Sequence, residues 1–178
     1  MSTRLRSTAG LPRIAGVQMA SGPNVEGNLN EAERLIAMAA EQGASLVALP
    51  ENFALMGMSE HDKVVVREED GAGPIQAFLA ASAKRHNIWV AGGSVPLVSS
   101  VAGKVRSACL VYDGSGRRVA RYDKIHLFGF EMGEESYREE RTIEPGSELV
   151  TMIRLPWATE DAPLPIALLM SGRLMTRY

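Results

Sequence analysis

Two stretches of the sequence place a titratable side chain where it could do chemistry. The first is LVALPENF (46–53), in which an apolar, strand-like run leads into Pro50 and then Glu51. Ligands of open α/β sheets bind beyond the carboxyl ends of the parallel strands, so a carboxylate here is well placed for a site. A solvated residue at the end of a strand would produce the same pattern, and position alone favours that simpler interpretation.

The second stretch is RYDKIHLF (121–128), in which Lys124 leads into an apolar cluster. A lysine held near a carboxylate in a partly apolar pocket can stabilise a developing oxyanion. The alternative is an edge-strand lysine that prevents edge-to-edge aggregation, a common role. For Lys124 taken alone, the edge-strand interpretation is favoured.

The elements before Glu51 follow a strand–helix–strand pattern. Residues 13–19 (RIAGVQM) predict a first strand, and residues 28–42 have the apolar spacing of an amphipathic helix. We expect Asn28 to cap this helix, because Glu31 follows at the spacing of a capping box. Residues 45–50 predict the second strand, so the segment indicates a parallel βαβ unit.

The unit repeats once, and the chain then changes character. Pro74 is expected in the first turn of a helix that runs to about His86, and a third strand is expected from Ile88. Residues 104–113 and 117–124 alternate around GSG, which predicts an antiparallel hairpin. With two further candidate strands at 147–153 and 165–170, the pattern predicts a layered α/β sandwich.

Composition limits the classes of function. A chain of 178 residues with a net charge of −2 suits one globular domain and gives no reason to expect a nucleic-acid or membrane partner. Cys109 is the single cysteine, which fits a reducing, cytoplasmic location. Residues 1–11 are interpreted as a disordered lead. The three histidines lack metal-site spacing, so no metal and no cofactor are expected.

Several separated motifs together resemble one family. LVALPENF and YDKIHLF, with RIAGVQM, NLNEAERLI and SYRE before TIEPG, resemble the nitrilase superfamily of carbon–nitrogen hydrolases over about residues 12–150. The resemblance is strongest to the bacterial branch of deaminated-glutathione amidases and ω-amidases. It implies a nitrilase-like α-β-β-α sandwich, hydrolysis of a small linear amide, and a homo-oligomer.

The resemblance also implies roles for individual residues. Glu51 would be the general base, and Lys124 would hold the oxyanion of the tetrahedral intermediate. Glu139, in SYRE, would be the accessory carboxylate near the lysine, although the adjacent Glu140 leaves the register open.

Two further residues are expected at the substrate pocket. Phe53 follows the PEN motif, and core packing is its alternative role. His126 follows the lysine motif, and a packing or hydrogen-bonding role is its alternative.

The nucleophile of the family, a cysteine at the end of an apolar strand, has no counterpart in the chain. Cys109 lies inside SACLVY and is interpreted as a structural strand thiol. In residues 165–178, Ser171 stands where the cysteine is expected, and a second register would place it at Arg177 before Tyr178. Because a serine hydroxyl has a much higher pKa than a thiol, we expect very low or no amidase activity from Ser171.

Residues 152–178 fit the family poorly and are interpreted as a divergent tail of a partial hydrolase domain (12–178). A frameshift near residue 151 is the favoured explanation, and a genuine short protein is the alternative. The sandwich is therefore expected to be incomplete at its C-terminal end. Two functions remain open: an amidase, or a catalytically inactive fragment that at most associates with itself.

Overall fold

The computed structural model describes residues 12–132, 135–148, 151–155, 157 and 165–168. These residues form nine strands and three α-helices. The strands are β1 (Arg13–Gly16), β2 (Ala44–Ala48), β3 (Trp89–Val98), β4 (Val105–Tyr112), β5 (Arg118–Asp123), β6 (Gly129–Met132), β7 (Glu135–Arg138), β8 (Thr151–Arg154) and β9 (Pro165–Leu168). The helices are α1 (Val25–Glu41), α2 (Asp62–Val65) and α3 (Pro74–His86).

The main sheet has the order β1-β2-β3-β4-β5. The first three strands are parallel, and β4 and β5 are antiparallel to their neighbours. This mixture is the one that the sequence predicts, because helices α1 and α3 connect the parallel strands and a short turn connects β4 to β5. The β6–β7 hairpin and the β8–β9 pair stand outside this sheet.

Helix α1 begins earlier than predicted. Its cap is Asn24, whose side-chain oxygen accepts a hydrogen bond of 2.8 Å from the Gly27 N–H. The prediction that Asn28 caps the helix is therefore wrong. Asn28 is buried inside the helix, where its amide donates to the backbone oxygens of Gly22 and Ala54 at 2.8 and 2.9 Å. This side chain ties the helix to the segment that follows Glu51.

The core lies on both faces of the main sheet. Between the sheet and the helices α1 and α3, a large apolar cluster includes Ile36, Val47, Leu79 and Val95. Phe53 belongs to this cluster with no exposed surface, so it is a core residue and not the pocket residue that was expected. The backbone turns here, with the Phe53 N–H donating to the Pro50 oxygen at 3.2 Å, and the ring packs in this cluster.

The segment 128–147 contains the β6–β7 hairpin and a 3-10 turn at Glu139–Arg141. Three aromatic rings, those of Phe128, Phe130 and Tyr137, pack against one another with centroids 6.0–6.1 Å apart. Their mutual packing gives this charged segment an apolar side. The expected lead (1–11) and Ser171 lie outside the described residues.

Candidate active site

Glu51 is held at the end of β2 by a tight approach to β3. The Gly93 backbone passes so close that a Cβ atom there would lie 2.0 Å from the Pro50 oxygen. The next residue, Asn52, has a φ of 60°, and its backbone N–H donates to the Ser94 hydroxyl at 2.8 Å. A left-handed conformation at a non-glycine residue carries a conformational cost. Here the hydrogen bond to Ser94 fixes the turn that directly follows Glu51.

Lys124 directly follows β5, and its backbone is fixed on both sides. Its N–H donates to the Ser107 oxygen, and its own oxygen accepts from the Gly146 N–H, both at 2.9 Å. The side chain is only 2% exposed. A buried ammonium requires partners of opposite charge, because desolvation strongly disfavours an unpaired charge.

Glu139 lies at the start of the 3-10 turn and is clamped to Phe128. Its backbone N–H donates to the Phe128 oxygen at 2.9 Å, and its Oε2 accepts from the Phe128 N–H at 2.7 Å. The adjacent Glu140 is 64% exposed on its side chain and pairs with Arg138. The geometry therefore favours Glu139 over Glu140 as the accessory carboxylate.

The three residues meet at the Lys124 ammonium. Its Nζ lies 2.6 Å from Glu51 Oε1, and 3.0 and 2.9 Å from Oε1 and Oε2 of Glu139. Burial alone would lower the pKa of Lys124, but the hydrogen bonds and negative charges of Glu51 and Glu139 outweigh it and raise the pKa. Lys124 is therefore a cation at neutral pH.

A cavity of about 550 Å³ opens beside this cluster. Asn52, Ser107 and Phe128, each adjacent or hydrogen-bonded to a member of the cluster, line it. Apolar side chains, among them Met56 and Met58, form other parts of the wall. The volume and the mixture of apolar walls with a few polar groups are typical of a small-molecule site.

Sequence reasoning missed three titratable residues in this cavity wall, Glu60, Lys63 and Tyr137. Burial lowers the pKa of Lys63 and raises the pKa of Tyr137. Lys63 lies on the short helix α2, in the segment between β2 and α3. No local signal distinguishes it from a surface lysine, because its position depends on how that segment folds over the sheet.

Two other candidates lie away from the cluster. His126 is exposed and does not line the cavity, so the described part of the chain does not bear out its expected pocket role. Cys109 is buried on the sheet face opposite the helices, and burial raises its pKa to about 12. Its thiol therefore remains protonated near neutral pH.

Within the described ranges, no group of three or more His, Cys, Asp or Glu side chains could hold a metal ion. The same ranges contain no helix long and apolar enough to cross a membrane. The two carboxylates that converge in the site have a lysine between them.

The fold and this arrangement of charged residues define a class of protein. Residues 13–169 match the model of the carbon–nitrogen hydrolase family, and the chain belongs to that family. Among its relatives, deaminated glutathione amidase of Synechocystis sp. PCC 6803 is 38% identical over 136 residues, covering 75% of this chain and 49% of the relative. Omega-amidase NIT2-B of Xenopus laevis is 33% identical over 135 residues, covering 75% and 48%. The resemblance to the amidase branch of the nitrilase superfamily is thereby confirmed.

Solved structures show the same fold. The NitFhit protein of C. elegans superposes with a TM-score of 0.69 at 26% identity, covering 80% of this chain and 35% of that one. An amidase from Nesterenkonia sp. gives a TM-score of 0.71 at 23% identity, covering 89% and 54%. A variant of the latter carries acrylamide on its active-site cysteine. The chain spans about half the length of the curated relatives that it matches.

Proposed function

We propose that the cluster of Glu51, Lys124 and Glu139 is the site of an amidase that hydrolyses a small linear amide. The observation that carries the proposal is the buried Lys124 ammonium, 2.6 Å from Glu51 and 2.9 Å from Glu139, beside a cavity of small-molecule size. The names of the relatives, deaminated glutathione amidase and omega-amidase, agree with this class of substrate.

In the proposed reaction, a nucleophile attacks the amide carbonyl carbon while Glu51 takes its proton. Glu51 suits a general base because its side chain is 36% exposed and can meet a substrate, whereas Glu139 is 8% exposed. Lys124 stabilises the negative charge that develops on the carbonyl oxygen. Glu139 keeps the ammonium in position. When the tetrahedral intermediate collapses, Glu51 gives its proton to the amide nitrogen, which leaves as ammonia. A water molecule deprotonated by Glu51 then hydrolyses the acyl-enzyme and releases the carboxylic acid and the nucleophile.

We expect this chain to lack the nucleophile that the first step of the reaction requires. The buried Cys109, with its pKa raised to about 12, cannot supply a thiolate near neutral pH. Ser171, at the position where the sequence predicts the nucleophile, carries a hydroxyl that a carboxylate deprotonates poorly. We therefore expect no ammonia release above background from the chain as it stands.

The second candidate function is an inactive member of the family that associates with itself in the cytoplasm. The protonated Cys109 thiol favours the inactivity, and the association is a separate part of this proposal. Light scattering coupled to size-exclusion chromatography tests the association directly. A monomer across the accessible concentration range would contradict a homo-oligomer.

The amidase proposal is tested by ammonia release from glutaramate, a small linear amide. We expect Ser171→Cys to gain activity, and Glu51→Gln in that background to lower the rate by about 10²–10⁴-fold. Glu139→Gln should also lower it, whereas Glu140→Gln, a matched change at the exposed neighbour, should not. Ordinary turnover by the unmodified chain would contradict the prediction that the chain lacks a nucleophile. An active Ser171→Cys variant that is insensitive to Glu51→Gln would contradict the role of Glu51.

A further inference from the structure

One part of the cavity wall is a segment without regular secondary structure. Residues 56–60 belong to no helix or strand, and all five line the cavity. The segment follows closely on the turn after Glu51, so its shape affects the space beside the reacting cluster. Because a segment of this kind has no ladder of backbone hydrogen bonds, other contacts must hold its shape.

Asp62 supplies three of those contacts. Its Oδ2 accepts from the N–H groups of Met58 and Ser59 at 2.7 and 2.9 Å, and its Oδ1 accepts from the Ser59 hydroxyl at 2.7 Å. The N–H and the hydroxyl of Ser59 hold the pKa of Asp62 below its ordinary value, so the carboxylate is ionised near neutral pH. Hydrogen bonds to an ionised acceptor are among the stronger ones in proteins, and these three fix the middle of the segment.

Gly57 packs against the same carboxylate. A Cβ atom at Gly57 would lie 2.8 Å from both Cβ and Oδ2 of Asp62, so any larger residue would displace the aspartate. The start of the segment has a separate attachment, because the Met56 N–H donates to the Gly22 oxygen at 3.1 Å. The middle of the segment therefore depends on Asp62, and the start does not.

The segment carries two exposed methionines into the cavity wall. Met56 and Met58 are exposed on 51% and 86% of their surface. A methionine side chain is flexible and adapts to apolar surfaces of irregular shape. Apolar surface of this kind favours a ligand that covers it and removes it from water. The two side chains thus offer a contact for the apolar part of a substrate.

We infer that Asp62 is a positioning residue, which fixes the segment so that Met56 and Met58 pack against the apolar chain of the substrate. This inference rests on the proposed function, because it assumes that the amide group lies at Glu51 and Lys124. Asp62 does not line the described cavity itself and acts through the segment. Its effect is therefore expected on the affinity for the chain of the substrate and not on the affinity for the amide group.

The test is equilibrium binding of acetamide, propanamide and butanamide to the full chain, measured by NMR titration. We expect the affinity to rise by about two- to fourfold with each added methylene, fourfold corresponding to complete burial of the group. Asp62→Ala releases Met58 and Ser59, so it should abolish this rise and leave acetamide binding unchanged. A general loss of structure would instead weaken the binding of all three amides.

Three further variants separate the positioning role from a change of charge or stability. Asp62→Asn keeps an oxygen for the two N–H groups and an amide that can donate to the Ser59 hydroxyl, so it should keep the rise. Gly57→Ala removes no hydrogen-bonding group but displaces Asp62, so it should abolish the rise. Asp70→Ala, a matched change at an aspartate that pairs with Arg118 outside the described cavity wall, should leave every affinity unchanged.

The outcomes for Asp62 and for the proposed function are distinct. A rise that survives Asp62→Ala, or an affinity of the unmodified chain that does not depend on chain length, would overturn the role of Asp62 and leave the proposed function intact. If Asp62→Ala does not fold, Gly57→Ala decides between these results. If none of the three amides binds the correctly folded chain, both proposals fail.

Discussion

Glu139 and Glu68 are two carboxylates with nearly the same burial and different surroundings. Their exposed fractions are 6% and 5%. Glu139 faces the Lys124 ammonium and, through it, Glu51. Glu68 faces neutral donors: the N–H groups of Ile75 and Gln76 at 2.5 and 3.1 Å.

Glu68 therefore acts as the cap that helix α3 lacks locally. Gly73, at the capping position, has no side chain to accept from the first N–H groups of the helix. A Cβ atom on Gly73 would lie 2.3 Å from the Glu68 side chain, so the glycine leaves room for the carboxylate. The comparison teaches that burial of a carboxylate does not by itself mark a functional site. The kind of donor distinguishes Glu139, which faces a lysine ammonium, from Glu68, which faces neutral N–H groups.

The largest expected effect comes from removing the cation between the two site carboxylates. Lys124→Met leaves the buried Glu139 without its positive partner, so we expect the free energy of unfolding to fall by about 3–5 kcal/mol. Urea denaturation measures this change. The double variant Lys124→Met/Glu139→Gln should recover part of the loss, because it also removes the uncompensated charge. A single variant as stable as the unmodified chain would contradict the importance of this pairing.

A smaller effect is expected at the cap. Glu68→Ala removes the acceptor of the buried N–H groups of Ile75 and Gln76, which should lower the free energy of unfolding by about 2–3 kcal/mol. Amide binding by the folded protein should not change, since Glu68 does not line the cavity. Glu69→Ala, at the exposed neighbour, is the matched control for urea denaturation. A loss of binding without a loss of stability would indicate that Glu68 belongs to the site.

The smallest effect, measured over one pH unit, concerns Cys109, a buried thiol with no charged partner among the described residues. Burial raises the pKa of Cys109 from 9.0 to about 12, so above pH 9 the unfolded thiol ionises while the folded thiol remains protonated. Its contribution to stability is present below pH 9 and is lost as the pH rises towards 12. The free energy of unfolding should therefore fall by about 1.4 kcal/mol per pH unit more in the unmodified chain than in Cys109→Ala. The measurement is urea denaturation at several alkaline pH values, and parallel slopes would contradict the shift.

The carboxylate partners of Lys124 raise its pKa, and this shift changes the free energy of unfolding at a higher pH than the Cys109 shift does. Its contribution is fully present below the ordinary lysine pKa of 10.5 and is lost as the pH rises through the folded value. The thiol therefore accounts for the first part of the alkaline decline, and the lysine adds to it only above that range.

Local sequence patterns predicted some elements well and could not decide others. Pro74 begins helix α3 as expected, because its fixed φ suits the first turn of a helix. Asn24 and Asn28 are equally able to cap α1, and the contact of Asn28 with the Ala54 oxygen, distant in sequence, decided between them. Phe53 shows the same limit, because an apolar residue after a strand suits a core or a cavity wall equally well.

The sequence by itself determined the strands of the main sheet and the helices α1 and α3, and it identified Glu51, Lys124 and Glu139 as candidates, because periodicity and motifs are properties of short segments. It did not determine α2 or the β6–β7 hairpin. Only the tertiary structure decided that Lys124 and Glu51, 73 residues apart, lie 2.6 Å from each other, and that Lys63 faces the cavity. The physical reason is that a buried ion pair depends on the desolvation and the approach of groups from separate strands. Both arise only when the sheet and its covering segments come together.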